Sequence, residues 1–236
     1  MKSEKKPVKI LCLSDVKSPL VYSSNIKERF GDVDLVIGAG DLVMDYYGFI
    51  VSMLNKHLYF VFGNHNLKHL RRFKFPKHAS AEQHDFMGNP QSHEVMTDYF
   101  GSTYIGGKVV YLKEQDLIIA GMGGCMRYNR GENQYTDLYM HLKLMRLVPK
   151  LLWNRLVRGR FLDIFITHAP PKGIHDQEDR CHQGFSGFLW FMRRFRPRYL
   201  LHGHVHLIDM NQQRESTYHD TQVINVYEYY LLEVQQ

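Results

Sequence analysis

At 236 residues the chain has the length of one α/β domain with a core large enough to need no covalent staples, and a second full domain is not expected. Its three cysteines, Cys12, Cys125 and Cys181, are too few and too scattered for a disulfide framework or a thiolate zinc cluster, which excludes the small secreted classes and favours a reducing compartment. The formal charge of +6 permits an anionic partner without requiring one, and the charged residues 1–7 with no apolar signal region or membrane-length run behind them lead us to expect a soluble cytoplasmic protein with no membrane partner.

Residues 8–13 are an apolar run of strand formers that stops at Ser14-Asp15. Residues 25–30 suit a short helix closed by Gly31. A second apolar run, 35–37, leads into Gly38-Ala39-Gly40-Asp41, where the third glycine of a dinucleotide fingerprint is missing. A helix over 49–54 and a strand over 58–62 follow, and the strand ends in Gly63-Asn64-His65-Asn66. The long stretch 66–101, rich in Lys, His and Pro, exceeds an ordinary connection and is read as an inserted loop or lid within a single domain spanning 1–236.

Residues 109–112 and 117–120 form a hairpin turning at 113–116. In the glycine-rich segment 121–129, Arg127 is placed to clamp a phosphate oxygen. Residues 137–158 read as a helix kinked or split at Pro149, with Leu138, Leu142, Met145, Leu152 and Leu156 assigned to the core. The run 162–167 enters His168-Ala169-Pro170-Pro171. Cys181, His182, His175 and Asp179 match no established zinc spacing. Ser186 is expected to cap a helix through Phe195 that ends at Arg196, because Pro197 disfavours helix in the residue before it. Residues 199–201 run into His202-Gly203-His204-Val205-His206, where period two sends three imidazoles out on one side. Residues 222–234 suit one or two closing strands.

Five strand-like runs therefore deliver Asp, Asn or His at their carboxyl ends. Strands alternating with helices make a largely parallel sheet, whose ligands collect beyond those ends. Asp15, Asp41, Asn64, His168, His204 and His206 are oxygen and nitrogen donors suited to first-row divalent ions. The basic groups at 68–77, 143–160 and 193–198 read singly as solvated faces and together leave nucleic acid open as a partner.

Asp15-Val16-Lys17, Gly40-Asp41, Gly63-Asn64-His65-Asn66, His168 and Gly203-His204-Val205-His206, in this order, resemble the calcineurin-like metallophosphoesterase superfamily. The resemblance implies a four-layer α-β-β-α sandwich of two mixed sheets. It also implies one or two divalent ions per chain, drawn from manganese, iron, zinc, magnesium, nickel or cobalt. Asp41 would bridge two ions, Asn64, His168 and His204 would complete the second site, and Asp15 and His206 would hold the first. His202 is then left as a neighbour. His65 would stand near the leaving-group oxygen as proton donor or stabiliser. Paired ions roughly 4 Å apart acidify a bridging water, and the hydroxide attacks phosphorus in line. The implied activity is hydrolysis of phosphate esters, with phosphodiesters favoured over monoesters on account of the basic flanks. A nuclease and a metal-binding scaffold with impaired turnover are the alternatives.

Three positions depart from the family pattern. Lys17 replaces a histidine, and a protonated lysine does not ligate, so the first site is expected to be the weaker. Lys17 itself is assigned either to substrate phosphate or to solvent. Asn66 stands where an acidic residue is common, and Asp45 follows Asp41 by four residues rather than three, which puts its orienting bond to His65 in question. The oligomeric state is not legible in the sequence.

Overall fold

The alternation of side chains along the strands decides how the layers stack. In β1 (Val8–Ser14), Ile10 and Cys12 enter one buried cluster while Leu11 and Leu13 enter another. In β10 (Ile164–Thr167), Ile164 and Ile166 join the cluster of Ile10, and Phe165 enters a third. A strand covered on both faces requires this division. The chain is described by a computed structural model over residues 6–74, 98–99, 101–209 and 212–235.

Two six-stranded sheets share the cluster of Ile10 and Ile164 between them. The first has the order β14 (Glu228–Val234), β1, β2 (Leu35–Gly38), β3 (Leu58–Phe60), β5 (Ser102–Tyr104), β4 (Asp98–Tyr99). The second has the order β12 (Glu215–Tyr218), β13 (Thr221–Asn225), β11 (Tyr199–His202), β10, β7 (Leu117–Met122), β6 (Lys108–Leu112). Inner neighbours are parallel, and the edge strands β14, β4, β12 and β6 are antiparallel. Both sheets are therefore mixed.

Helices α1 (Ile26–Phe30), α2 (Met44–Leu54) and α3 (Leu70–Lys74) cover the outer face of the first sheet through Phe30, Tyr47, Ile50 and Phe73. Helices α4 (Asp137–Met145), α5 (Val148–Arg158) and α6 (Ser186–Phe195) cover the second through Leu144, Leu151, Phe188 and Phe191. The result is the four-layer sandwich that the motifs implied. A small pairing of β8 (Cys125–Met126) with β9 (Gln134–Tyr135) lies outside both sheets.

Several local expectations are corrected. Helix α2 begins at Met44, earlier than expected, because Met44 and Tyr47 already belong to its buried face. The segment 137–158 is split into two helices, as Pro149 allowed, but the break falls earlier, between Met145 and Val148. Pro149 falls in the first turn of α5, where its missing N–H leaves no bond unmade. The apolar stripe assigned to the core is on the outside: Leu138, Leu142, Met145, Leu152 and Leu156 are between 47% and 79% exposed, while Met140, Leu144, Leu147 and Leu151 are buried. Both rows repeat at helical spacing, so periodicity alone could not choose between them.

Ser186 is the first residue of α6 and makes no side-chain cap. Its Oγ donates to Asp137, and its backbone N donates to Asp137 Oδ1 at 2.8 Å, so a carboxylate from the start of α4 takes over the capping role. Of the stretch expected as an inserted lid, residues 75–97 and 100 lie outside the described residues. The described parts contribute a 3₁₀ turn (Leu67–His69), α3 and β4.

Candidate metal centre

Asp15 directly follows β1 and His168 directly follows β10, while Asp41, Asn64 and His204 sit on the short loops leaving β2, β3 and β11. Main-chain bonds tie these exits together: Asp15 N donates to Gly40 O at 3.0 Å, and Gly203 N to His168 O at 3.0 Å. Three of the donors hold non-glycine backbone in the left-handed region, with φ of 66° at Asp15, 60° at Asp41 and 70° at His204. Such conformations cost on the order of 1–3 kcal/mol each and persist only where the surroundings impose them. At Asp41 the surroundings are explicit. His65 N donates to its Oδ1 at 2.7 Å, and Asn66 Nδ2 donates to its carbonyl at 2.7 Å.

Asp41, His168 and His204 are buried and offer one ligand atom each, all within 4.8 Å of one another. His168 Nε2 lies 3.3 Å from Asp41 Oδ2 and 3.1 Å from Asn64 Oδ1. Gly63 allows this approach, since a Cβ there would overlap Asp41 Oδ1 and stand 2.5 Å from His168 Nε2. Hydrogen bonds behind the donors orient them. His168 Nδ1 gives its proton to Ala39 O at 2.9 Å, leaving Nε2 for the centre. His204 Nε2 gives its proton to Cys181 O at 2.7 Å, leaving Nδ1. Asn64 Nδ2 donates to the Tyr128 hydroxyl at 3.4 Å, which turns Oδ1 inward. Backing of this kind sets tautomer and ring orientation in histidine metal ligands.

The electrostatics describe a centre that holds a proton between Asp41 and His168. Burial opposes charge on His168, but the Asp41 carboxylate, with help from Asp15 and the Ala39 carbonyl, raises its pKa to about 9. Burial likewise opposes ionisation of Asp41, and the charge and hydrogen bond of His168 together with the His65 N–H outweigh it, giving about 2. His204 is driven down to about 3 by burial and by the charge of His168, and so is neutral. Two nitrogens, a carboxylate and an amide oxygen on one point fit a divalent first-row ion, which would displace the His168 proton on binding.

The remaining expected residues do not join this cluster. Asp15 accepts from His204 N with both oxygens at 3.0 Å, and burial raises its pKa, with His168 opposing and Asp41 adding. His206 is exposed, its ring 4.9 Å from that of Tyr227. His65 is exposed, and among the described residues no hydrogen bond joins it to Asp45, whose charge acts instead on His69. Lys17 is exposed with its ammonium 4.9 Å from the Tyr22 ring centroid and 5.9 Å from that of Tyr46. Arg127 is exposed and adjoins Tyr128. His202 belongs elsewhere: its Nε2 lies 3.0 Å from His175 Nδ1, whose Nε2 lies 2.8 Å from Ser216 Oγ. Burial and His175 hold His202 neutral, at about 3.

Sequence reasoning missed the supporting residues. Tyr128 and the Cys181 carbonyl orient donors, and Asn133 Nδ2 bonds Phe62 O at 3.1 Å and also Gly63 O, pinning the loop that carries Asn64. The glycine-rich segment beside Tyr128 was their one visible trace. Asp179, Cys181 and His182 also bring ligand atoms within 4.8 Å of one another, but His182 Nδ1 is bonded to Asp179 Oδ2 at 2.8 Å and His175 is not among them.

A family model described as calcineurin-like phosphoesterase matches residues 8–207. One solved crystal structure shares 16% identity at a TM-score of 0.64, covering 96% of this chain and 95% of its own. TT1561 of Thermus thermophilus shares 14% at 0.57, covering 96% and 94%. GAP50, the anchor in the inner membrane complex of Plasmodium, shares 11% at 0.52, covering 94% of this chain and 71% of that one. At these identities the likeness is one of fold. No curated protein matches the chain.

Proposed function

The chain belongs to the calcineurin-like phosphoesterase family, and we propose that it hydrolyses phosphodiesters in preference to monoesters, a preference that rests on the basic flanks at 68–77, 143–160 and 193–198, using a divalent ion held chiefly by Asp41, Asn64, His168 and His204. The family supports metal-dependent hydrolysis of phosphate esters as the general activity. The observation that carries the assignment of ligands is the convergence of the buried Asp41, His168 and His204 within 4.8 Å, with the lone pairs of both histidines directed by backbone carbonyls.

A divalent ion bound there supplies positive charge to a phosphate oxygen and acidifies water. His65, anchored by its backbone N to Asp41 Oδ1 and otherwise exposed, is the residue we assign to protonating the leaving-group oxygen. Asp15 and His206, outside the buried cluster, are the residues we assign to the weaker first site. Lys17 and Arg127, both exposed, are the residues we assign to meeting a diester's second substituent with positive charge. Among the described residues no helix is long and apolar enough to cross a membrane.

The test compares bis-p-nitrophenyl phosphate with p-nitrophenyl phosphate after reconstitution with each candidate ion. We expect turnover of both with the diester ahead, and loss of both in His204→Ala. A monoester preference would remove the diester assignment, and inactivity with every metal and substrate would favour a scaffold of the same fold.

A further inference from the structure

Helices α4 and α5 carry apolar side chains on two opposite faces. On α4, Met140 and Leu144, with Leu147 just beyond, are buried, while Leu138, Leu142 and Met145 repeat the same spacing outward at 73%, 55% and 47% exposure. On α5 the buried residues are Leu151 and Asn154. Leu152, Trp153 and Leu156 are 48%, 58% and 79% exposed. At about 100° per residue these three share an arc of about 100° opposite the buried pair, and Lys150 and Arg155 stand on either side of it. Single exposed leucines are ordinary, but an apolar arc that includes an exposed tryptophan, with cations on both sides, marks an interaction surface.

Charge narrows what that surface meets. Residues 137–158 carry Lys143, Arg146, Lys150, Arg155 and Arg158 against one carboxylate, Asp137, and that carboxylate is engaged by Ser186. A second copy packed on the same patch about a two-fold axis would set these cations against their own equivalents. An anionic occupant has no such penalty. Apolar tips flanked by Lys and Arg, with an exposed tryptophan among them, suit the boundary between lipid headgroups and acyl chains, where aromatic rings and cations both find partners.

We propose that α5 docks the protein on the surface of an anionic lipid bilayer, with Leu152, Trp153 and Leu156 entering the acyl boundary and Lys150 and Arg155, beside them, meeting headgroup phosphates. In this docking the helix lies along the surface of the bilayer. Docking of this kind is independent of what the metal centre hydrolyses.

The test is co-sedimentation of the full chain with vesicles of phosphatidylcholine, alone or with a third replaced by phosphatidylglycerol. Binding is expected to the anionic vesicles, to fall steeply with added salt, and to weaken about tenfold or more in Leu152→Ser/Leu156→Ser and in Lys150→Glu/Arg155→Glu. Leu152, Leu156 and Lys150 are exposed, so circular dichroism and the melting midpoint should be unchanged in the leucine variant and in Lys150→Glu alone, which serves as the charge control because Arg155 Nη1 also donates to Gly159 O at the end of α5. With Trp190→Phe, Trp153 is the sole tryptophan, and its emission should shift to the blue on adding anionic vesicles. Failure to bind either vesicle would overturn the proposal, as would unaltered binding by both double variants. So would emission already blue-shifted without lipid, or a concentration-dependent dimer abolished by Leu152→Ser/Leu156→Ser, since each would mean that protein covers this face.

Discussion

His204 gives its Nε2 proton to the main-chain carbonyl of Cys181 at 2.7 Å, so the loop ahead of α6 dictates which nitrogen His204 presents to Asp41 and His168. Among the described residues no hydrogen bond backs the ring of His206, two residues on, which lies exposed against Tyr227. His204→Ala is therefore expected to weaken divalent-ion binding by about tenfold or more, and His206→Ala or Lys17→Ala by less. Titration calorimetry with manganese orders the three. A larger loss from His206→Ala would reverse the ranking of the two positions.

Gly63 is required by contact. A Cβ there would overlap Asp41 Oδ1 and meet His168 Nε2 at 2.5 Å, and neither group can retreat without leaving the cluster. Gly63→Ala should destabilise the fold by about 1–3 kcal/mol and abolish tight metal binding. Denaturant unfolding and metal analysis of the purified variant check both, and retained stoichiometric metal would show that the loop can yield.

The Asp41–His168 pair makes the metal-free protein sensitive to pH. The folded pKa of His168, about 9, lies above its ordinary 6.5, so its contribution is complete below 6.5 and is lost as pH rises through 9. For Asp41, at about 2 against 3.8, the contribution is present above 3.8 and lost as pH falls through 2. In EDTA the melting midpoint should drop between pH 6.5 and 9, and saturating metal, which takes the place of the proton, should remove that drop. A midpoint flat or rising across this range in EDTA contradicts the raised pKa.

Asp137 starts α4 and at the same time accepts from Ser186 N at 2.8 Å and Gly187 N at 3.4 Å at the start of α6. Asp137→Ala leaves those donors without their acceptor and should cost about 1–2 kcal/mol. Ser186→Ala, which keeps the main-chain bonds, should cost less. Equilibrium denaturation of the two variants settles the order, and equal losses would place the effect in the Ser186 hydroxyl.

Much of the architecture was readable locally. Strands β1, β2, β3, β10 and β11 stand close to where apolar runs and their terminating Gly, Pro and polar residues put them, because strand exits are marked by nearest neighbours in the chain. Three features were not readable. The pairs β4–β5 and β8–β9 are two or three residues long and carry no period. Helices α4 and α5 carry two equivalent apolar rows, so the choice of buried row waited on what each face would meet.

By itself the sequence determined the donor types at the strand ends and, through their order, the family and its sandwich of two sheets. The tertiary structure decided which donors meet. Period two in His202-Gly203-His204-Val205-His206 holds only while the chain stays extended, but β11 ends at His202 and His204 turns to a φ of 70°. One imidazole therefore pairs with His175 beneath the loop, one faces Asp41 and His168, and one faces solvent. That division depends on a carbonyl from residue 181 and a carboxylate from residue 15, partners distant in sequence that only the folded chain brings within reach.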